Sequence, residues 1–166
     1  MSLTLNTKST NPKKGFTLLE ILLVVAIISI LAGIVILAIN PTKQLGDTRN
    51  AQRRSDVLTI LNAVYQYALD NDGAFPVDIS PVTDSCLEDA TAEICQDGEC
   101  TDGDYVDLYT DLVSGDVNYL VSIPRDPEVA STTASGAGYS IVQLANGRLT
   151  VCALTPDNNA EISVTR

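Results

Sequence analysis

Residues Phe16 to Ile39 read FTLLEILLVVAIISILAGIVILAI, a run of 24 residues with one charge, Glu20. As an α-helix the run extends about 36 Å at 1.5 Å per residue, enough to cross a hydrocarbon core about 30 Å thick. Lys8, Lys13 and Lys14 all precede it. Basic residues on that side predict a leader that stays in the cytoplasm and a remainder that is exported. A cleaved secretory signal would have a shorter apolar region ending at a small-x-small site. Here Asn40-Pro41 follows instead. Glu20 is the residue that a plain single-pass anchor leaves unexplained, because an ionisable group inside an apolar helix costs several kcal/mol. One reading is a carboxylate snorkelling to the interface. The other is a partner: a cut before Phe16 would leave an α-amine at the depth of Glu20, and opposite charges attract strongly in a low dielectric.

The rest of the composition narrows the function classes. The chain has 166 residues, 45% of them apolar, with 10 basic and 21 acidic side chains and a net charge of −11. Length and apolar content suit one exported domain behind the apolar run. The acidic balance argues against nucleic-acid binding. Histidine is absent, which excludes Ser-His-Asp and Cys-His catalysis within the chain and removes the commonest zinc ligand. No catalytic constellation is visible, so an enzyme is not expected.

After Pro41, the residues Val57, Leu58, Ile60, Leu61, Val64, Tyr65, Ala68 and Leu69 recur at helical spacing, which predicts an amphipathic helix. Arg53, Arg54, Asp56, Asn62, Gln66 and Asp70 are assigned to its polar face. Asn71-Asp72-Gly73 is its stop signal. Arg49, Arg53 and Arg54 either form a solvated face or pair with acidic surface on adjacent subunits, since 15 acids and no Lys or Arg lie between Ser55 and Pro124. Residues 77–118 read mainly as loop with one short helix. Tyr119–Ile123 reads as a short strand, and residues 130–138 read as a flexible loop. Tyr139–Ala145 and Arg148–Leu154 around Asn146-Gly147 predict a hairpin with a type I′ turn, and Glu161–Thr165 an added edge strand. The expected architecture is α+β, an apolar and an amphipathic helix with a kink or boundary at Asn40-Pro41, the second packed on a small antiparallel sheet. Its divisions are a leader at 1–15, an apolar helix at 16–39, an amphipathic continuation at 40–73 and an exported head at 74–166.

Cys86, Cys95, Cys100 and Cys152 fall on the exported side, and their even count predicts two disulfides without stating the pairing. Their spacing lacks C-x-x-C, so a Cys₄ zinc site is disfavoured. Asp97, Glu99, Asp102, Asp104 and Asp107 crowd into eleven residues. Such carboxylates suit a hard cation such as Ca²⁺, although the EF-hand pattern is not met. A solvated acidic loop is the competing reading, and no other cofactor is expected.

Lys13-Lys14-Gly15-Phe16-Thr17-Leu18-Leu19-Glu20, with the apolar run behind it, resembles the class III leader of type IV pilins and pseudopilins. Tyr119-Leu120-Val121-Ser122-Ile123-Pro124-Arg125-Asp126-Pro127 is similar to a segment before the sheet of major pseudopilins. The resemblance implies cleavage between Gly15 and Phe16 by a prepilin peptidase, and N-methylation of Phe16. It implies that the apolar and amphipathic helices form one long N-terminal helical spine, and that Glu20 pairs with the Phe16 amine of a neighbour in a helical homo-oligomer. The implied partners are that peptidase, the inner-membrane pilus assembly machinery, and the membrane itself before assembly. It implies a type IV pilus subunit, single-pass in the cytoplasmic membrane and then extracellular. The alternatives are a pseudopilin of a type II secretion system and a membrane-anchored surface module that never polymerises. The resemblance to major pseudopilins also favours the calcium reading of the head, without matching ligands residue by residue.

Overall fold

The computed structural model describes residues 15–76, 79, 81–82, 92–98, 100, 105–128 and 135–166. The leader before Gly15, together with Cys86, Glu99, Asp102 and Asp104, lies outside the described residues. The chain divides into two compact units with the boundary between Pro41 and Thr42.

The first unit holds α1, Leu18–Ala38. Its 21 residues give a helix about 31 Å long. None of them is buried. Two local features keep so apolar a segment helical to its ends. Thr17 caps the start, and the Ile39 N–H closes the last turn on the Val35 carbonyl at 3.0 Å. The Ser29 hydroxyl is satisfied within the helix, donating to the Val25 carbonyl at 2.8 Å, so it adds no unmet polar group.

The second unit is built on α2, Pro41–Asp70. Pro41 occupies the first helical position, where a missing N–H costs nothing. The helix ends where Asp72 and Gly73 take positive φ, 55° and 87°. The Gly73 N–H then reaches the Ala68 carbonyl at 2.7 Å, the long bond of a Schellman ending. Val57, Ile60, Leu61, Val64 and Ala68 are buried as the spacing predicts, whereas Leu58 and Leu69 are exposed. The stripe also runs further back than its apolar residues do. Gly46, Asn50 and Arg53 continue it and are buried, so Arg53 leaves the polar face to which the sequence assigned it.

Among the described residues, six strands make one mixed sheet: β1 Pro81–Val82, β2 Glu93–Cys95, β3 Tyr105–Val106, β4 Gly136–Leu144, β5 Leu149–Ala153 and β6 Ser163–Thr165. The order is β3-β2-β4-β5-β6, with β1 on β4. The β4-β5-β6 run is antiparallel as expected, whereas β1, β2 and β3 fall in the stretch the sequence reads as loop: β2 adds antiparallel to β4, and β1–β4 and β2–β3 are parallel. Parallel partners need a crossover, and pieces of two residues carry no alternation from which to read one. Tyr139, Ile141, Leu149 and Val151 face the α2 stripe in one core that also takes Ile94, Leu108 and Ile162. Alternation sends Val142 and Cys152 to the other face, into a smaller cluster with Ala92.

Three local expectations change. The β4–β5 connection is not type I′: of the Asn-Gly pair only Gly147 has positive φ, at 81°. The Gly147 N–H closes on the Leu144 carbonyl at 2.8 Å, and the Asn146 side chain accepts the Arg148 N–H at 3.0 Å. This is a three-residue loop with the left-handed residue last, the bulged alternative for Asn-Gly. Tyr119–Ile123 is not a strand. The N–H groups of Tyr119 and Leu120 both turn back to the Leu112 carbonyl, at 2.9 and 3.0 Å, the end of α3, Tyr109–Leu112. Finally, Gly136–Gly138 belongs to β4 rather than to a loop. A Cβ on Gly136 would stand 2.1 Å from Glu93 Oε1, and that oxygen accepts the Gly138 N–H at 3.0 Å. Glycine there serves close approach, not flexibility.

Candidate assembly site

Gly15, Phe16 and Thr17 lead into α1 as exposed, non-helical backbone. A Cβ on Gly15 would meet nothing within 4 Å among the described residues, so the Gly15–Phe16 bond is sterically open. Thr17 is the N-cap, extended at φ −81° and ψ 151°, and its hydroxyl accepts the Glu20 N–H at 3.2 Å. Glu20 therefore stands at N3. Thr17-Leu18-Leu19-Glu20 is the T-x-x-E pattern of a capping box, a signal that stands in the sequence at the head of the apolar run. A carboxylate in the first turn sits where free N–H groups favour an anion. The same turn thus brings together the sterically open Gly15–Phe16 bond and the Glu20 acid. Behind it lies an apolar helix that must be covered by lipid or by other helices.

Arg49 and Arg53 are engaged within their own chain. Arg53 is fully buried and forks onto Asp126, itself fully buried, with Nε to Oδ2 at 2.6 Å and Nη2 to Oδ1 at 2.9 Å. Its Nη1 donates to Asp157 Oδ2 at 2.5 Å and to Asn50 Oδ1 at 3.0 Å. Arg49 holds the same Asp157 carboxylate in a two-pronged ion pair. The Asn50 side-chain amide clamps the Asp157 backbone, donating to its carbonyl at 2.8 Å and accepting its N–H at 2.9 Å. The hydrogen bond to Asp126 leads the effects that push the Arg53 guanidinium above its ordinary value. The bonds from Arg49 and then Arg53 hold Asp157 well below the usual carboxylate range. Pairing of Arg49 and Arg53 with neighbouring subunits is thereby overturned. Their acids are Asp126, Glu128 and Asp157, which lie beyond the acidic stretch that drew attention in the sequence.

Above this clasp, burial leads the effects that push the Asp56 carboxyl up, opposed by the Tyr139 hydroxyl, which donates to Asp56 Oδ2 at 2.8 Å. Cys95 and Cys100 form a disulfide with Cα atoms 6.0 Å apart. Cys152 is disulfide-bonded too, and among the described residues no cysteine is free. Asp97 lies beside the Cys95–Cys100 pair, but the bridge leaves neither sulfur as a thiolate ligand. Asp107 is used locally, its carboxylate accepting the Tyr109 N–H at 2.9 Å and the Thr110 hydroxyl at 2.9 Å.

Residues 10–36 match the prokaryotic N-terminal methylation motif. The chain is similar to the type II secretion system core protein G of Escherichia coli K12, 39% identical over 64 residues, which are 39% of this chain and 43% of that protein. It is also similar to the core protein G of Vibrio cholerae serotype O1, 36% identical over 81 residues, 49% of this chain and 50% of that protein. The chain thus spans half or less of the length of these curated relatives. No solved structure matches it. The methylation motif covers the capped start of an uncovered apolar helix, and the head is a helix-backed sheet with a disulfide: motif, relatives and α+β architecture together support the type IV pilin and pseudopilin family for this chain.

Proposed function

We propose that this chain is the precursor of a filament subunit, cut by a prepilin peptidase between Gly15 and Phe16, N-methylated at Phe16, and assembled with copies of itself through α1. The observation that carries the reading is Glu20 at the capped start of a helix with no buried residue. A membrane anchor has a use for the apolar surface but none for the acid. In the filament, the Phe16 amine of a neighbour would neutralise it, and an unpaired charge in that core would cost several kcal/mol per subunit. The filament is either a type IV pilus, reaching the cell surface, or the pseudopilus of a type II secretion system. Similarity to two secretion-system core proteins supports the second.

The test is Glu20→Ala in cells that rely on this subunit alone. Inserted monomer accumulates, because alanine sits well in the bilayer, while filament yield falls sharply. Thr17→Ala removes the cap, worth about 1 kcal/mol of helix, and filaments persist. Normal filaments from Glu20→Ala would overturn the pairing. Deleting the chain then separates the two filaments: lost protein export marks the pseudopilus, and lost surface fibres with export intact mark the pilus.

A further inference from the structure

At the C-terminal end of α2 the head holds a cavity of about 480 Å³. Two of its walls are the rings of Tyr67 and Tyr119, packed edge to face with centroids 5.8 Å apart. Asp70, Asp111 and Asp116 line it as well, and no lysine or arginine does. The Tyr119 hydroxyl donates to Asp70 Oδ2 at 3.0 Å. Burial, and then the neighbouring carboxylates, push both phenols above their ordinary range, so they stay neutral donors. The last turn of α2 has no basic residue, and the helix C-terminus adds negative partial charge to the same corner. Aromatic walls with carboxylates between them fit a cationic side chain, by cation–π contact and charge-assisted hydrogen bonds together.

A complementary group stands on the same helix. Arg54 is exposed and makes no ion pair among the described residues. From 54 to 70 is sixteen residues, about 24 Å along the axis and, at roughly 100° per residue, about 160° around it. A cation and its seat on opposite flanks of one helix cannot meet within a chain. Between copies they meet head to tail, in a contact that need not close into a ring and so can propagate a helix. We propose that the tyrosine-walled cavity receives the Arg54 guanidinium of a neighbouring copy of this chain. The proposal rests on the filament reading above and names a head contact that the apolar helix does not supply.

The test uses the full chain carrying Arg54→Lys, assembled in cells, with sheared filaments treated with a water-soluble carbodiimide. The reagent condenses an amine with a carboxylate in contact with it into an amide, taking up the water itself as a urea. The separation of about 24 Å excludes coupling from position 54 to Asp70 in one chain. The expected result is a ladder of linked subunits, with peptides joining position 54 to Asp70, Asp111 or Asp116. In parallel, Arg54→Glu and Asp116→Lys each lower filament yield about tenfold or more by facing like charges, and the double variant restores it. Equal membrane accumulation of all three controls for folding. Amides from position 54 to other sites, no such amides, or single reversals that assemble normally each overturn the cavity contact and leave the filament reading intact. Absence of filaments from the unaltered chain overturns both.

Discussion

Replacing Arg53 by alanine should cost the head more than any other single charge removal in it. The side chain is 0% exposed, and so is that of Asp126. Arg53→Ala deletes both bonds to Asp126 and the 2.5 Å bond to Asp157. Asp126 keeps the Glu128 N–H at 2.8 Å but stays buried as a carboxylate without its cation. Breaking a buried pair by removing one partner costs about 3–5 kcal/mol, a large share of the roughly 5–15 kcal/mol that holds a domain folded. At about 2–4 °C per kcal/mol, the melting temperature should drop by about 6–20 °C. The assay is thermal and urea unfolding of the chain in detergent, followed by tyrosine near-ultraviolet dichroism, since the chain has no tryptophan and the far-ultraviolet signal would mix α2 of the head with the 21 residues of α1. Two companions sharpen it. Arg53→Lys keeps the charge but loses the fork, and should fall between. Arg53→Met with Asp126→Leu removes both charges and should recover most of the loss. If Arg53→Ala unfolds within about 1 kcal/mol of the unaltered chain, as an exposed pair would, the clasp does not hold the head together.

Asp157 carries the pH dependence. Its folded carboxyl is held below the ordinary range by Arg49 and Arg53, so its contribution is present above about pH 4 and lost as pH falls further; Asp157→Asn should flatten the acid limb of stability against pH, and an unchanged acid limb would refute the linkage. Gly46→Ala should destabilise by about 1–3 kcal/mol through overpacking, because its Cβ would meet Asn158 Nδ2 at 2.8 Å and Asp157 Cβ at 2.9 Å. Helix propensity alone predicts the opposite sign, a gain of up to about 1 kcal/mol, so thermal unfolding decides between them. Non-reducing peptide mapping should recover Cys95–Cys100 and a second bridge carrying Cys152, with Cys86 the remaining cysteine by count; four alkylatable thiols would contradict it.

What could be read in advance follows from the range of each interaction. The apolar run from Phe16, the stop at Asn71-Asp72-Gly73 and the pairing of β4 with β5 all rest on neighbours within one element, so periodicity and turn chemistry expose them. Arg53 could not be placed that way. Its partners Asp126 and Asp157 lie 73 and 104 residues away, and an arginine at the end of an apolar stripe looks like a solvated one until those acids arrive. The parallel pairs of β1 and β3 are two residues long and depend on how loops return. Gly136–Gly138 misled for a related reason, since glycine chosen for approach to Glu93 has the composition of a linker. At the assembly site the order was reversed. Gly15, Phe16 and Glu20 are singled out by the sequence alone, and the structure adds the Thr17 cap and a helix with no buried residue behind it.

The central claim, that this chain is cut and built into a filament through its N-terminal helix, is tested most directly by the N-terminus of the assembled subunit. Filaments sheared from cells and analysed by intact and peptide mass spectrometry should contain chains that begin at an N-methylated Phe16 and retain all of α1. Filament-borne chains that still carry Gly15 and the leader, or exported chains cut beyond Ile39, would contradict it.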